Sequence, residues 1–336
     1  MSNSGFKRVA PAVGLFFIAP LVAEYLLGDI PIKLLGVIAI LAPLYGGGAL
    51  LIREVVRRAG RGWPSILVLA FAYAVLEEAF TTQTLFNPNY LNLNLHLLQP
   101  AYIPALGIGM WWTVFVLTLH TVWSISVSIA LVEALVPDRA TTPWLRGLGL
   151  TVTSILLTLA CIATTAHQIK TSHFMASTAQ LCSAAVVCVL TIVAAFLLPA
   201  RSARRIPGSV PSPWLIGAAG LVAGSIFLIV PNIWGWTAVA IYLLLDVMMI
   251  AAMSTLSHRD GWNATHRLAL AGGAALAYAW HAFIQHPAVG DAGRSTRIGN
   301  VIFAAGLIVL LIVAARRTAS HIDSSIAPSR DYSAKF

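Results

Sequence analysis

The amino-acid sequence predicts an all-α, polytopic membrane bundle of about ten transmembrane helices with both termini cytoplasmic. Three observations predict it. Of 336 residues, 58% are hydrophobic and only 10% are charged, where a soluble domain is about half apolar and about a quarter charged. The apolar residues fall into stretches of roughly 20, the length a helix needs to cross a bilayer. The basic residues gather in alternate loops. The net charge of +9 therefore reads as membrane orientation rather than as a nucleic-acid surface. A soluble globular protein, a disordered chain and a disulfide scaffold are excluded.

The spans, in order, cover approximately 9–28, 34–53, 63–86, 108–135, 145–166, 174–199, 213–231, 236–257, 266–286 and 298–315. Met1 to Arg8 run directly into the first, without a small-residue cleavage site, which reads as an uncleaved span. Of the 21 Lys and Arg residues, all but Lys33, Lys170, Arg294 and Arg297 fall on the side of the N-terminus and the even-numbered loops. The positive-inside rule makes that side cytoplasmic, in a bacterial-type inner membrane. Residues 1–317 form a single transmembrane domain, which an Arg-, Pro- and Ser-rich linker could divide into halves 1–200 and 213–317. The tail, 318–336, is polar, cytoplasmic and of disordered composition. Cys161, Cys182 and Cys188 lie in apolar stretches without a CxxC pattern and read as small hydrophobes.

Backbone irregularity is expected in the first two spans, at Pro20, Pro43 and Gly46-Gly47-Gly48. Such breaks suit places where protein or a water-filled cavity satisfies the freed backbone. The external loop 87–104 carries no formal charge and alternates as Leu91-Asn92-Leu93-Asn94-Leu95-His96-Leu97. It reads as a short strand or an amphipathic flap, either an ordinary interfacial loop or a lid over a site.

Ionisable residues within spans cost roughly 2.5–3.5 kcal/mol each at mid-bilayer and need a reason. They are Glu24, Glu77, Glu78, His120, Asp246 and His281. At about 1.5 Å of rise per residue, all lie in the outer half or the middle of their spans, so they could meet in one pocket. Adjacent residues on a helix point about 100° apart, so one of Glu77 and Glu78 could face a site while the other holds a neighbouring helix. Two buried carboxylates raise one another's pKa, which suits an acid and a base. Tyr73 and Thr81 extend the same polar stripe by one turn each way. Glu77, Glu78, His120 and His281 are thus the candidate catalytic residues, with Glu24, Tyr73, Thr81 and Asp246 in support. His120, His281 and Glu77 are also candidate metal ligands, zinc above all. Glu54, with Arg57 and Arg58 at i+3 and i+4, reads as a helix-end ion pair.

The order Glu77-Glu78, His120 and a later histidine resembles the CPBP family of intramembrane proteases, which includes the CAAX prenyl endopeptidases. Its pattern is EExxxR, FxxxH and a His followed about four residues on by Asn or Asp. The resemblance covers roughly residues 63–135. Here Thr82 stands at the Arg position, Val116 at the Phe position beside Phe115, and Gln285 four residues after His281. The resemblance implies a water, activated by glutamate and histidine, that cleaves a peptide bond.

Three functions compete. One is a membrane hydrolase, metal-assisted or not, acting on a membrane-embedded peptide or a lipid-linked substrate. The second is a proton-coupled transporter using the same carboxylates and histidine. The third is a haem protein with His120 and His281 as axial ligands. Partners are membrane lipids and the membrane substrate, not nucleic acid. No Walker, GxSxG, HExxH or Rossmann pattern is present, which argues against ATP, serine-hydrolase and nucleotide-dependent chemistry.

Overall fold

A computed structural model describes residues 3–199 and 206–326. Arg201, Arg204 and Arg205 of the linker, and Arg330 and Lys335 of the tail, lie outside the described residues. The chain is an all-helical polytopic membrane bundle. Its helices are α1 (Arg8–Leu26), α2 (Ile32–Arg58), α3 (Trp63–Thr81), α4 (Met110–Leu135), α5 (Gly147–Ser172), α6 (Thr178–Leu197), α7 (Pro213–Ile229), α8 (Trp236–Leu256), α9 (Ala264–His281) and α10 (Arg294–Ile326).

Among the described residues, eight helices are long and apolar enough to cross a membrane, not the ten expected. The two that fall short are α7, with 17 residues, and α9, whose ends carry His266, Arg267 and His281. These two lie against each other. A Cβ on Gly273 of α9 would stand 2.0 Å from the carbonyl oxygen of Gly217 on α7, so only glycine permits the approach. At the other end of the chain, α10 continues to Ile326. The start of the polar tail is thus helical rather than irregular.

The layers follow from burial. Half of the apolar 18-residue stretch of α1 and of α2 is buried, 72% of that of α4, and only 11% of those of α5 and of α8. The first four helices and α9 make the centre, and α5, α6, α8 and α10 present apolar side chains outward. Gly46 lets α2 cross α1: a Cβ there would lie 2.0 Å from the Phe16 carbonyl oxygen.

The arginine-rich end of the centre is closed by a buried ion network. Arg53 is wholly buried. Its Nε donates to Glu133 Oε1 (3.0 Å), its Nη1 to Glu54 Oε1 (2.7 Å), and its Nη2 to the carbonyls of Arg139, Ala140 and Thr142. Its guanidinium lies 3.2 Å over the Trp144 ring. Arg57 grips Glu133 with two bonds, at 2.9 and 2.7 Å. Glu54 accepts the backbone N–H groups of Trp144 and Leu145. Of the helix-end pairs expected for Glu54, the one with Arg58 forms, at 3.8 Å, and the one with Arg57 does not. Arg57 serves Glu133, and Glu54 is held by Arg53 and the 144–145 backbone.

The loop 87–104 does not form the expected strand over 91–97. Leu91, Asn92, Asn94 and His96 take left-handed backbone angles. The asparagines cause this locally: Asn87 Oδ1 accepts from Asn89 N–H and Asn89 Oδ1 from Asn94 N–H, curling the chain into turns. The strands that do form are β1 (Tyr102–Ile103) and β2 (Ile108–Gly109), an antiparallel pair leading into α4.

Candidate functional site

The central helices share an unusual backbone feature. Among the described residues there are four π-helical segments, one in each of α1 to α4: Leu21–Leu26, Ala42–Gly46, Glu77–Thr81 and His120–Val127. A π turn accommodates an extra residue, re-aims the side chains it carries, and is frequent at functional sites. The sequence explains two of the four. Pro20 immediately precedes the first and Pro43 lies within the second, where a missing N–H disrupts the regular ladder. Each π turn delivers a polar side chain inward: Glu24, Tyr45, the Glu77-Glu78 pair, and His120 with Ser124.

Those side chains meet. His120 Nε2 lies 2.7 Å from Glu78 Oε1, and Nδ1 lies 3.1 Å from Ser124 Oγ and 3.6 Å from Glu77 Oε2. The two adjacent glutamates therefore address opposite nitrogens of one imidazole. Tyr45 stacks on that ring, with centroids 5.7 Å apart and planes 19° off parallel. Its hydroxyl donates to Glu24 Oε1 at 2.6 Å. Glu77, Glu78 and His120 are 1%, 3% and 4% exposed, whereas Glu24 is only partly buried.

The glutamates differ in one respect. Glu78 is saturated: besides His120, its Oε2 accepts from Thr82 (3.1 Å) and from Thr84, and Thr84 in turn accepts from Trp112 Nε1 at 2.9 Å. Neither oxygen of Glu77 makes a hydrogen bond of regular geometry, although the Tyr45 and Tyr73 hydroxyls lie beside it. Burying an ionised acceptor without such bonds costs at least about 1–3 kcal/mol. Glu77 is thus the group with unused capacity, and Glu78 is the one that holds the neighbouring helix.

The segment after α3 closes over this cluster. Tyr90 lies there, and burial, with the carboxylates of Glu78, Glu77 and Glu24 nearby, pushes its phenol up. Among the described residues, Glu77, Glu78 and His120 form the group that could hold a metal ion, with one ligand atom from each lying within 4.8 Å of the others. An imidazole and two carboxylates are a donor set that zinc accepts.

Not every expected residue joins. His281 is replaced in the metal-capable group by Glu78. The reason lies in the contact between α9 and α4, where Trp123 stacks on Tyr278 at 4.7 Å and donates to the Ala274 carbonyl. His281 is three residues beyond Tyr278, at a depth close to that of His120, but its ring is turned to Gln285 and the backbone of Leu228. Its Nδ1 is buried without a partner. Asp246 accepts from Thr118 at 2.9 Å. Thr118 precedes His120 by two residues, about 200° around α4, so Asp246 meets a different face. Tyr73 donates to the Leu44 carbonyl at 3.0 Å, which supports the second π turn, and its phenol lies beside Glu77. Thr81 is buried in the third π turn, on the side of Cys161. Sequence reasoning missed Tyr45, Thr84 and Trp112. For Tyr45 a signal existed, a tyrosine placed between Pro43 and three glycines.

Residues 15–327 match an uncharacterized membrane protein family. No curated protein and no solved structure matches the chain.

Proposed function

The chain belongs to an uncharacterized membrane protein family, and we propose from the chemistry of its site that it is an integral membrane hydrolase acting on a membrane-embedded peptide or a lipid-linked substrate. The observation that carries this reading is the buried Glu77 carboxylate, free of regular hydrogen bonds and 3.6 Å from an imidazole nitrogen. Glu77 is the general base: it takes a proton from water as the oxygen attacks a carbonyl carbon. Glu78 and Ser124 engage the two His120 ring nitrogens and hold the imidazole in place, from where it electrostatically stabilises the oxygen that gains charge. This division of labour is also what the resemblance to CPBP proteases implies. Zinc is the metal-assisted form of the same proposal: Glu77, Glu78 and His120 would then be its ligands in place of the roles just given, and the ion would polarise the carbonyl or the water. In the same reading the chain lies in an inner membrane with both termini cytoplasmic, and the site lies toward the outer face.

A second reading rests on Glu24. Partly exposed and bonded to Tyr45, which stacks on His120, it extends the cluster toward the surface as a proton relay would. One experiment separates the two. The purified protein is reconstituted in liposomes with a fluorogenic membrane peptide or a lipid-linked ester, and both product and proton flux are followed. Hydrolysis that falls at least about 100-fold in Glu77→Gln, and is unchanged in Asp246→Asn, supports the hydrolase. Electrogenic proton flux that Glu77→Gln abolishes, without product, replaces it with the transporter. Zinc is tested in the same preparation: one bound ion per chain, lost in His120→Ala, supports it, and full activity after chelation removes it.

A further inference from the structure

Among the described residues, seven non-glycine residues have left-handed backbone angles, and six of them fall between Gln83 and Ala101: Gln83, Leu91, Asn92, Asn94, His96 and Ala101. The left-handed region is disfavoured by roughly 1–2 kcal/mol for a residue with a Cβ, less for asparagine. Strain of this kind persists only where surrounding contacts over-determine the backbone, and it gathers at lids and switches. In this chain it gathers in the one segment that joins the Glu77-Glu78 turn to the helix of His120.

Both ends of the segment touch the site. Thr82 and Thr84, at its start, hold Glu78 Oε2. Trp112, just past its end, donates to Thr84. Between them the contacts to the rest of the molecule include a short row of polar bonds to the ends of α5 and α6. Leu91 N–H donates to Ser172 Oγ at 2.8 Å, and Asn92 Nδ2 to the Thr171 carbonyl at 2.8 Å. Gln180 Nε2 reaches the Leu106 carbonyl at 3.2 Å. The residues 87–104 bring no charge to bind them down. Leu95, Tyr102 and Leu106 are 40%, 47% and 55% exposed.

We infer that residues 83–109 are a strained cover latched by Ser172 and Thr84, and that its opening toward the outer face is how the buried cluster is reached. The inference rests on the cluster being a working site. When the cover lifts at Thr84, Glu78 gives up one of its donors, so the state of the cover and the set of the carboxylates change together. A group bound at Glu77 and His120 would in turn favour the closed cover, because linkage is reciprocal.

The test follows opening directly, without a substrate. Cys161, Cys182 and Cys188 are replaced by alanine, and Thr81→Cys, buried in the π turn from which the cover starts, reports access. Full-length protein in liposomes is treated from outside with a membrane-impermeant cationic methanethiosulfonate, and labelling is timed. Glycine relieves left-handed strain in the closed form, so Ala101→Gly and His96→Gly should each slow labelling roughly five- to tenfold. Ser172→Ala removes a latch and should speed it by a similar factor. Size-exclusion profiles establish that each variant is folded, and the two glycine variants give the same reading if either fails. Labelling that never occurs, or that proceeds at one rate in all four proteins, overturns the cover. Such a result leaves hydrolysis by Glu77 standing, since that rests on product formation and its loss in Glu77→Gln.

Discussion

Two buried polar clusters sit toward opposite ends of α2 and α4, and they are finished differently. At the arginine-rich end, Arg53 and Arg57 face Glu54 and Glu133, charge for charge, and both carboxylates are fully engaged. At the other end, Glu24, Glu77 and Glu78 surround a single imidazole, and the ion pairs of Glu77 and Glu78 are with His120. The first cluster satisfies its charges with protein alone, as a structural lock does. The second leaves Glu77 without regular hydrogen bonds. Burial and charge are common to both. What separates a lock from a site is capacity left over for something that comes from outside.

The largest expected effect falls on the lock. Removing one partner of a buried ion pair strands the others, at a cost of about 3–5 kcal/mol. Glu133→Ala strands Arg57 and leaves Arg53 with Glu54 as its one carboxylate, and should lower the stability of the detergent-solubilised protein by that amount. Unfolding in a graded detergent or denaturant series measures it. A change below about 1 kcal/mol would show that water reaches the network and that the lock is not closed. Glu77→Gln should behave differently. It removes a buried charge that accepts no regular hydrogen bond and loses its 3.6 Å ion pair with His120; the two terms offset, so stability should change by less than about 1 kcal/mol while activity disappears. Glu78→Gln is the control: its acceptor oxygens serve His120, Thr82 and Thr84, and it should destabilise. Equal losses in the two glutamine variants would erase the distinction between the carboxylates.

How much of this was legible in the sequence depends on which coordinate the sequence carries. Depth along a helix is written in position, and it placed Glu77, Glu78 and His120 at compatible heights. Direction around the helix is not. His281 and Asp246 have suitable depths but face other neighbours, because α9 meets α4 at Trp123 and α8 meets it at Thr118. The four π turns also shift direction, and only Pro20 and Pro43 announce any of them. The lock was missed for a related reason. A local i, i+4 rule finds partners for Glu54, but the partners of Glu133 lie 76 and 80 residues away. The apolar runs carried the helical membrane fold. They overcounted long spans because α7 is short and α9 is held by close glycine packing as well as by hydrophobicity.

The smallest effect sharpens the comparison at its edge, where the second cluster meets water. Asp29, in the turn after α1, accepts from Gln285 and sits near Glu24. Burial first, and the Glu24 carboxylate second, hold its carboxyl well above the usual carboxylate range. The unfolded chain ionises this group near an ordinary pKa of about 3.9. Between that value and the raised one, the folded protein binds more protons than the unfolded chain, so stability falls as pH rises. The contribution is fully present below the ordinary value and is lost as pH climbs through the raised one. Asp29→Asn keeps an acceptor for Gln285 and removes the titration. Its melting temperature should therefore depend less on pH from about 4 upward than that of the wild type, and exceed it at the alkaline end. Parallel curves would mean that Asp29 is solvated like a surface acid, and that the carboxylates of the second cluster end at Glu24.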